Sequence, residues 1–291
     1  MNKNIVCCLC VRNCEKYLKD IFRNLDLLGN TLECLNFYII FVYDNCIDNS
    51  AILINEYKKN SKFKVIVINN ENNNSEFRPV RIANSRNICL YIIENKIKNI
   101  DFHIFIDADD VNISIWDVDI IKGYIDNADN INDTNNDTNN NYNNDWDILS
   151  FNRYNYYDIW ALLYEDFKHQ CWGFNTEIVI THMQTDIENK LKNMDDNKLF
   201  ECYSAFNGFA IYRTKKLNKI FYDGTYDSYK NLFNEEEKIK TINKFKTKSS
   251  LLNNLYIIHR EDCCEHLYYN IMATRNNNAR VKISKKILQK K

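Results

Sequence analysis

Phe102-His103-Ile104-Phe105-Ile106-Asp107-Ala108-Asp109-Asp110-Val111-Asn112 reads as a buried strand that runs into a cluster of acids. The apolar stretch from Phe102 to Ile106 has the length and composition of a core strand. At its carboxyl end stand three aspartates, at 107, 109 and 110. Carboxylates this close repel one another, and a divalent cation removes the repulsion; hard oxygen ligands suit Mg²⁺, Mn²⁺ or Ca²⁺. The competing reading makes the cluster a solvated turn or the cap of a helix predicted over 114–125. In open α/β sheets ligands bind beyond the carboxyl ends of the strands, where this cluster falls.

Upstream, strand and helix patterns alternate. Strands are predicted at 5–11, 35–43 and 64–68, and helices over 15–28, 47–59 and 83–98. Four strands separated by helices imply right-handed crossovers and a mostly parallel sheet. Three strand ends are polar: Arg12-Asn13 after the first, Asp44-Asn45 after the second and the aspartates after the fourth. Together they predict one crevice along one sheet edge.

The remaining composition bounds the function. A chain of 291 residues, 45% hydrophobic and 26% charged, is globular and long enough for one α/β domain. A net charge of -1 argues against a surface built for nucleic-acid phosphates. Only five glycines and one proline are present, so asparagine must supply many left-handed turn positions. Eleven cysteines, an odd number without a secretory leader, read as reduced thiols. Cys7 and Cys10 form a CxxC inside the first strand, but alternation sends them to opposite faces, which does not suit zinc. With no run of about 18 apolar residues, the expected compartment is the cytoplasm.

The segment 127–145 is nearly all Asn, Asp and Thr and is expected to be a disordered surface insertion. It divides a nucleotide-binding half, 1–126, from a metal- and acceptor-binding half, 146–279. A strand is predicted at 146–151, a helix at 176–194, a strand or hairpin over 200–212 broken at Asn207-Gly208, and a short strand at 255–259. Glu261-Asp262-Cys263-Cys264-Glu265-His266 opens a last helical stretch. Residues 280–291 carry six basic side chains and no acid. They are expected to form a solvated terminal helix, with weak contact to an anionic membrane surface as the alternative.

Several of these motifs, in this order, resemble the GT-A-fold nucleotide-sugar glycosyltransferases. Asp44-Asn45-Cys46-Ile47-Asp48 is similar to that family's acidic turn after the second strand. Arg81-Ile82-Ala83-Asn84-Ser85-Arg86-Asn87 resembles its Ala-x-x-Arg-Asn segment, and Asp107-Ala108-Asp109 its DxD signature. Tyr156-Tyr157-Asp158-Ile159-Trp160 and Phe206-Asn207-Gly208 look like segments of capsule-associated α-mannosyltransferases, and Cys264-Glu265-His266 like a late metal-binding histidine. Asn69-Asn70-Glu71-Asn72 departs from the family, which usually places Gly there.

The resemblance implies a Rossmann-like, mostly parallel sheet flanked by helices, with a mixed acceptor-side half. It implies transfer of a hexose from a UDP- or GDP-sugar to a glycan or other hydroxyl acceptor, with Mn²⁺ or Mg²⁺ as cofactor. Asp109 would be the main carboxylate ligand and His266 the second, the imidazole favouring Mn²⁺. Asp107 would bind the ribose, or the metal through water. Asp44 would accept hydrogen bonds from the base or ribose, and Arg81 and Arg86 would contact the nucleotide or diphosphate. Arg86 has a structural alternative, holding Asp107 or Asp109 in place. An inverting enzyme needs a base, for which Glu261, Asp262 and Glu265 are candidates; the mannosyltransferase-like segments point instead to retention. Asp158 and Trp160 are candidates for acceptor contact, against a core role for the aromatic stretch.

Two other functions use the same residues. In a haloacid-dehalogenase-like phosphohydrolase Asp107 would be the nucleophile and Asp109 the general acid, although that motif belongs on a first strand. A non-catalytic nucleotide- or carbohydrate-binding protein would keep the fold without turnover.

Overall fold

The apolar runs that alternate along the first hundred residues pair as parallel strands. The computed structural model describes residues 3–129, 142–175, 177–248, 254–258 and 260–290. In chain order the elements are β1 (Asn4–Val11), α1 (Glu15–Thr31), β2 (Asn36–Tyr43), α2 (Ser50–Asn60), β3 (Lys64–Asn69), α3 (Arg78–Ile92), β4 (Phe102–Asp107) and α4 (Val118–Asp126). There follow β5 (Ile148–Asn152), α5 (Ile178–Asn193), β6 (Leu199–Cys202), β7 (Phe209–Arg213), α6 (Tyr226–Lys230), α7 (Glu235–Lys248), α8 (Glu265–Asn277) and β8 (Val281–Ile287).

One sheet, in the order β3-β2-β1-β4-β7-β5-β8-β6, runs through both halves of the chain. β1 to β5 and β8 point one way, β6 and β7 the other. The architecture is the expected α/β one, with a parallel first half and a mixed second half. Two buried clusters cover the two faces. Ile5, Cys7 and Leu9 lie in one, with Leu18, Ile21, Leu25 and Leu28 of α1. Val6 and Cys8 lie in the other, with Ala83 and Cys89 of α3. This strict alternation parts Cys7 from Cys10, and all eleven cysteines are free thiols.

The chain crosses from β3, at one edge, back over β2 and β1 to β4. Between β1 and β4 the direction of winding therefore reverses, the place where open α/β sheets leave a crevice at their carboxyl ends. Asparagine takes over the turns, as the scarcity of glycine requires. Asn13, Asn45, Asn99, Asn207 and Asn278 have positive φ, and Gly208 alone does so among the described glycines.

Four expectations are corrected. Residues 200–212 are not a hairpin: β6 sits at the outer edge on β8, while β7 lies between β4 and β5. The turn at Asn207-Gly208 serves the site instead. Of the strand expected at 255–259, residue 259 lies outside the described residues, and 255–258 form no strand beyond a single bridge from Ile257 to Phe174. The acidic cluster is not the cap of a long helix, because only a short 3₁₀ turn, Asp110–Asn112, follows it and α4 begins at Val118.

The largest correction is the basic tail. Instead of a solvated helix it forms β8, inserted between β5 and β6, with Lys282 and Ser284 buried. Val281, Ile283 and Ser284 are buried in the sheet, and Lys282 and Lys285 find acids on neighbouring segments. Lys282 Nζ lies 3.5 Å from Glu201 and 3.6 Å from Asp145, and Lys285 Nζ 2.8 Å from Asp196. A count of charges could not reveal that Lys282 and Lys285 are matched locally. The expected insertion lies mainly outside the described residues, at 130–141. On its described flanks Ala128 is buried and the Tyr142 ring meets Tyr124 edge-on at 5.0 Å. No helix among the described residues is long and apolar enough to cross a membrane.

Because β8 fills the sheet between two strands, removing it would expose both the ladder and the apolar faces. A chain truncated before Arg280 is expected to lose cooperative thermal unfolding by circular dichroism. A sharp transition near that of the full chain would show β8 to be dispensable.

Candidate active site

The crevice predicted from the strand ends exists. It offers about 240 Å³ of space, lined by the end of β1 (Cys10–Cys14), by Asp44 after β2, by Arg78, Arg81 and Arg86 of α3, and by Asp107 and Asp109. The loop that carries the aspartates is held by its backbone. The N–H of Asp107 donates to Gly208 O (3.0 Å), and Asn112 Nδ2 donates to the carbonyls of Asp107 and Gly208 (both 2.8 Å). Asn24, on the buried stripe of α1, donates to Asn112 O (2.9 Å) and Ser114 O (2.8 Å).

Arg153 closes the loop from the β5 side. Its guanidinium donates to Asn207 O (2.6 Å), Asn112 Oδ1 (2.8 Å) and Val111 O. Gly208 has φ +81, and a Cβ there would lie 2.9 Å from Val111 and 3.0 Å from Arg153. Glycine allows this close approach without that contact.

The two aspartates of the motif have different surroundings. Asp107 accepts from the Tyr157 hydroxyl (2.6 Å) and from Arg86 Nη2 (3.3 Å). Asp109 caps the 3₁₀ turn, with one long bond from Val111 N (3.4 Å), and makes no ion pair among the described residues. Burial, then the nearby Asp107 charge, push its carboxyl up to about 7. Asp110 is exposed. Asp44 is buried and accepts from Asn73 Nδ2 (2.6 Å), while Arg12 Nη1 lies 3.7 Å from its other oxygen.

Arg86 takes the structural role. Only 4% exposed, it lies 3.3 Å from Asp107 and 3.3 Å from Glu265 Oε1 and donates to His266 Nδ1 (3.1 Å), with its guanidinium 4.6 Å from the Phe206 ring. Arginine has only donors, so Nδ1 of His266 must accept and the imidazole carries its proton on Nε2. Burial and the Arg86 charge hold that ring neutral. His266 thus stands behind Arg86, and it would have to leave that bond and change tautomer before Nε2 had a lone pair for a cation. Arg81 also spends its guanidinium locally, on Ser75 O (2.6 Å) and Glu76 O (3.0 Å).

The remaining candidates lie off the crevice lining. Glu261 is exposed, Asp262 pairs with Arg260 (3.1 Å), and Glu265 is buried on Arg86. Burial pushes the Glu265 carboxyl above its ordinary value, with Arg86 opposing. Asp158 accepts from the N–H groups of Ala161 (3.2 Å) and Asn207 (3.3 Å), and burial followed by Asp107 pushes it up to about 7. Trp160 is half-buried and meets Trp172 edge-on at 4.5 Å.

Sequence reasoning passed over Arg78, Tyr157, Asn112 and Arg153. Arg78 carried a signal: Pro79 marks the first turn of α3, which places Arg78 at the same sheet edge as the aspartates. Arg12 and Arg78 make no side-chain hydrogen bond among the described residues; Arg12 lies 3.7 Å from Asp44, and Arg78 is the cation whose charge reaches Asp109.

Among the described residues no three of His, Cys, Asp and Glu converge on a metal site. A cation held by protein alone is therefore not built here. Mg²⁺ bound through one or two carboxylates together with substrate phosphates is a different arrangement. Asp109, desolvated and without an ion pair among the described residues, fits that arrangement, with Asp107 beside it.

No family model and no curated protein sequence matches the chain. Among solved structures, S. aureus TarS 1-349 in complex with UDP-GlcNAc overlaps 98% of this chain at 15% identity and a TM-score of 0.49. Glucosyl-3-phosphoglycerate synthase from Mycobacterium tuberculosis, in complex with Mn²⁺, UDP and phosphoglyceric acid, overlaps 75% at 12% identity and a TM-score of 0.42. This chain spans 57% and 58% of those two structures. Overlaps of this depth assign no donor, acceptor or metal.

Two outcomes follow from the geometry. Arg86→Ala leaves buried Glu265 and half-buried Asp107 without their cation and is expected to cost about 3 kcal/mol in denaturant unfolding; a cost near zero would contradict the role given to Arg86. Asp109 holds its proton in the folded state up to about pH 7 but gives it up near its ordinary value when unfolded. Its contribution is therefore present at low pH and lost as pH rises through about 7. Asp109→Asn is expected to melt above wild type at pH 8, the gap closing towards pH 4; a pH-independent gap would exclude this linkage.

Proposed function

We propose that the chain is a metal-dependent glycosyltransferase that moves a hexose from a UDP- or GDP-sugar to a glycan or other hydroxyl acceptor. What supports this is one juxtaposition: Asp44, Asp107 and Asp109 share a crevice with Arg12 and Arg78 at the winding reversal between β1 and β4. Such a crevice suits a ligand with hydrogen-bonding groups at one end and a diphosphate at the other. In this reading Asp44, held by Asn73, receives the base or ribose. Arg12 and Arg78 meet the phosphates, and Arg81 shapes the loop beside them. A divalent cation on Asp109 and Asp107 would neutralise charge on the departing diphosphate. Arg86, Glu265 and His266 are positioning residues that hold Asp107.

Glu261, Asp262 and Glu265 stand outside the crevice lining, which supports retention of anomeric configuration over a base-assisted inversion. Asp158, saturated by backbone N–H groups, organises the turn next to Trp160, which remains the proposed acceptor-side ring. The phosphohydrolase alternative is disfavoured because both oxygens of its would-be nucleophile, Asp107, are engaged by Tyr157 and Arg86.

Thermal stabilisation by UDP and GDP, with and without Mn²⁺, tests the reading. Stabilisation by one nucleotide is expected to require the cation and to disappear in Asp109→Asn. Asp44→Ala is expected to weaken nucleotide binding at least roughly tenfold, the worth of a charge-assisted hydrogen bond or so. Nucleotide release from a matching sugar donor should follow, with the product anomer retained by NMR. Stabilisation without any release across the donor panel would favour the binding protein.

A further inference from the structure

The first two residues of α8, Glu265 and His266, turn together toward Arg86 and close a knot around its guanidinium. Nη1 of Arg86 donates to His266 Nδ1 (3.1 Å) and lies 3.3 Å from Glu265 Oε1, while Nη2 donates to Asp107 Oδ1 (3.3 Å). The guanidinium therefore stands between the imidazole and the nearest carboxylate of the crevice.

The imidazole is fixed on its other sides as well. Its face stacks on the Phe206 ring at 3.9 Å, with 22° between the planes, and Tyr222 meets it edge-on at 5.5 Å. Nε2 lies 3.9 Å from Glu265 Oε1 and is closed to solvent. Nδ1 spends its lone pair on Arg86, so Nε2 carries the proton and has no lone pair to offer. For a cation to reach this ring, the stack, the Arg86 bond and the tautomer would all have to change. The cation would then rest beside a guanidinium that keeps its own positive charge.

The carboxylates differ. Asp109 lines the crevice with one oxygen bonded only at 3.4 Å, from Val111 N, and the other without a hydrogen bond among the described residues. Each oxygen of Asp107 accepts one bond and keeps a lone pair. No histidine among the described residues lines the crevice. Cys10 and Cys14 do line it, but thiols suit softer cations than those that diphosphates carry.

We propose that the cation served by this crevice meets oxygen alone, and that it arrives on the diphosphate rather than ahead of it. Asp109 supplies the free carboxylate, Asp107 its remaining lone pairs, and the phosphates and water the rest. His266 acts only through Arg86, as the acceptor that sets the plane of the guanidinium and with it the orientation of Asp107. This rests on the reading of the crevice as a nucleotide-diphosphate site, and it removes the imidazole ligand that was expected to select Mn²⁺. A shell of hard oxygens lets Mg²⁺ take the same role. Cation and nucleotide then strengthen each other's binding by one and the same factor.

The test uses the full chain labelled with ¹⁵N-histidine and loaded with Mn²⁺ and UDP or GDP. Electron-nuclear double resonance on the bound Mn²⁺ is expected to show coupling to ³¹P of the diphosphate and none to ¹⁵N. Calorimetry is expected to give nucleotide dissociation constants in saturating Mg²⁺ and Mn²⁺ within roughly threefold of each other. Mn²⁺ alone is expected not to bind at concentrations that support nucleotide binding. Coupling to ¹⁵N, a preference for Mn²⁺ beyond about tenfold, or binding of Mn²⁺ without nucleotide would overturn the proposal. His266→Asn keeps an amide oxygen near Nδ1 and removes Nε2; it is expected to hold nucleotide affinity in Mn²⁺ within roughly threefold, whereas His266→Leu, without an acceptor for Arg86, weakens it about tenfold. Equal effects of the two variants would overturn the role given to His266. Nucleotide binding that needs no cation, or no binding of either nucleotide, overturns the transferase reading and this inference with it. Coupling to ¹⁵N in a cation-dependent nucleotide complex overturns this inference alone.

Discussion

The buried guanidinium of Arg86 is the constraint around which the candidate site is organised. Removing a cation from water is expensive, and the interior recovers that cost only with close, well-placed counter-charges. Asp107 on β4 and Glu265 on α8 supply them, each 3.3 Å away, and the Phe206 ring lies beneath the guanidinium. Three elements that are distant in sequence are thereby fixed to one point. The charge also acts outward: a permanently protonated neighbour makes His266 accept through Nδ1, and after burial it is the second reason the ring stays neutral. Asp107 cannot turn freely into the crevice, since Arg86 holds one oxygen and Tyr157 the other. The freedom that remains belongs to Asp109.

What aims Asp109 is backbone geometry rather than charge. Asn112, Arg153 and the left-handed pair Asn207-Gly208 tie the carboxyl end of β4 to the start of β7. In this glycine-poor chain most left-handed positions fall to asparagine, whose short polar side chain bonds locally and tolerates that conformation. Asn13 shows how: its φ is 55, and its Oδ1 accepts from Ile47 N (2.8 Å) beside the crevice. At position 208 this substitution costs more, because a Cβ would also press on Val111 and Arg153.

The parallel half was legible because two-residue alternation and apolar run length report burial directly, and β1 to β4 follow both. The crevice was legible from strand ends because parallel crossovers bring those ends to one edge. The second half was not, since antiparallel and inserted strands leave no local trace of their neighbours. Nothing in 199–213 shows that β6 and β7 belong to different parts of the sheet. In the tail, six cations masked a strand whose partners, Asp145, Asp147, Asp196 and Glu201, are far away in sequence. Arg86 itself carried an unused clue. It lies three residues after Ala83 and three before Cys89, on the buried stripe of α3. A charge on such a stripe demands a buried acid, and Glu265 is that acid.

The crevice is the part of the molecule where this logic of mutual satisfaction stops. Two buried charges elsewhere are matched: Asp147 with Arg280 at 2.9 Å, Arg86 with two carboxylates. In the crevice Asp109 is desolvated without an ion pair, and Arg12 and Arg78 are without hydrogen-bonded partners, among the described residues. Opposite charges lining one crevice without pairing make sense when a third party bridges them, one that presents anionic oxygens to the arginines and positive charge to the carboxylate. A diphosphate carrying a divalent cation has that polarity, and the same separation leaves the unliganded protein less stable above neutral pH than its sequence would otherwise allow.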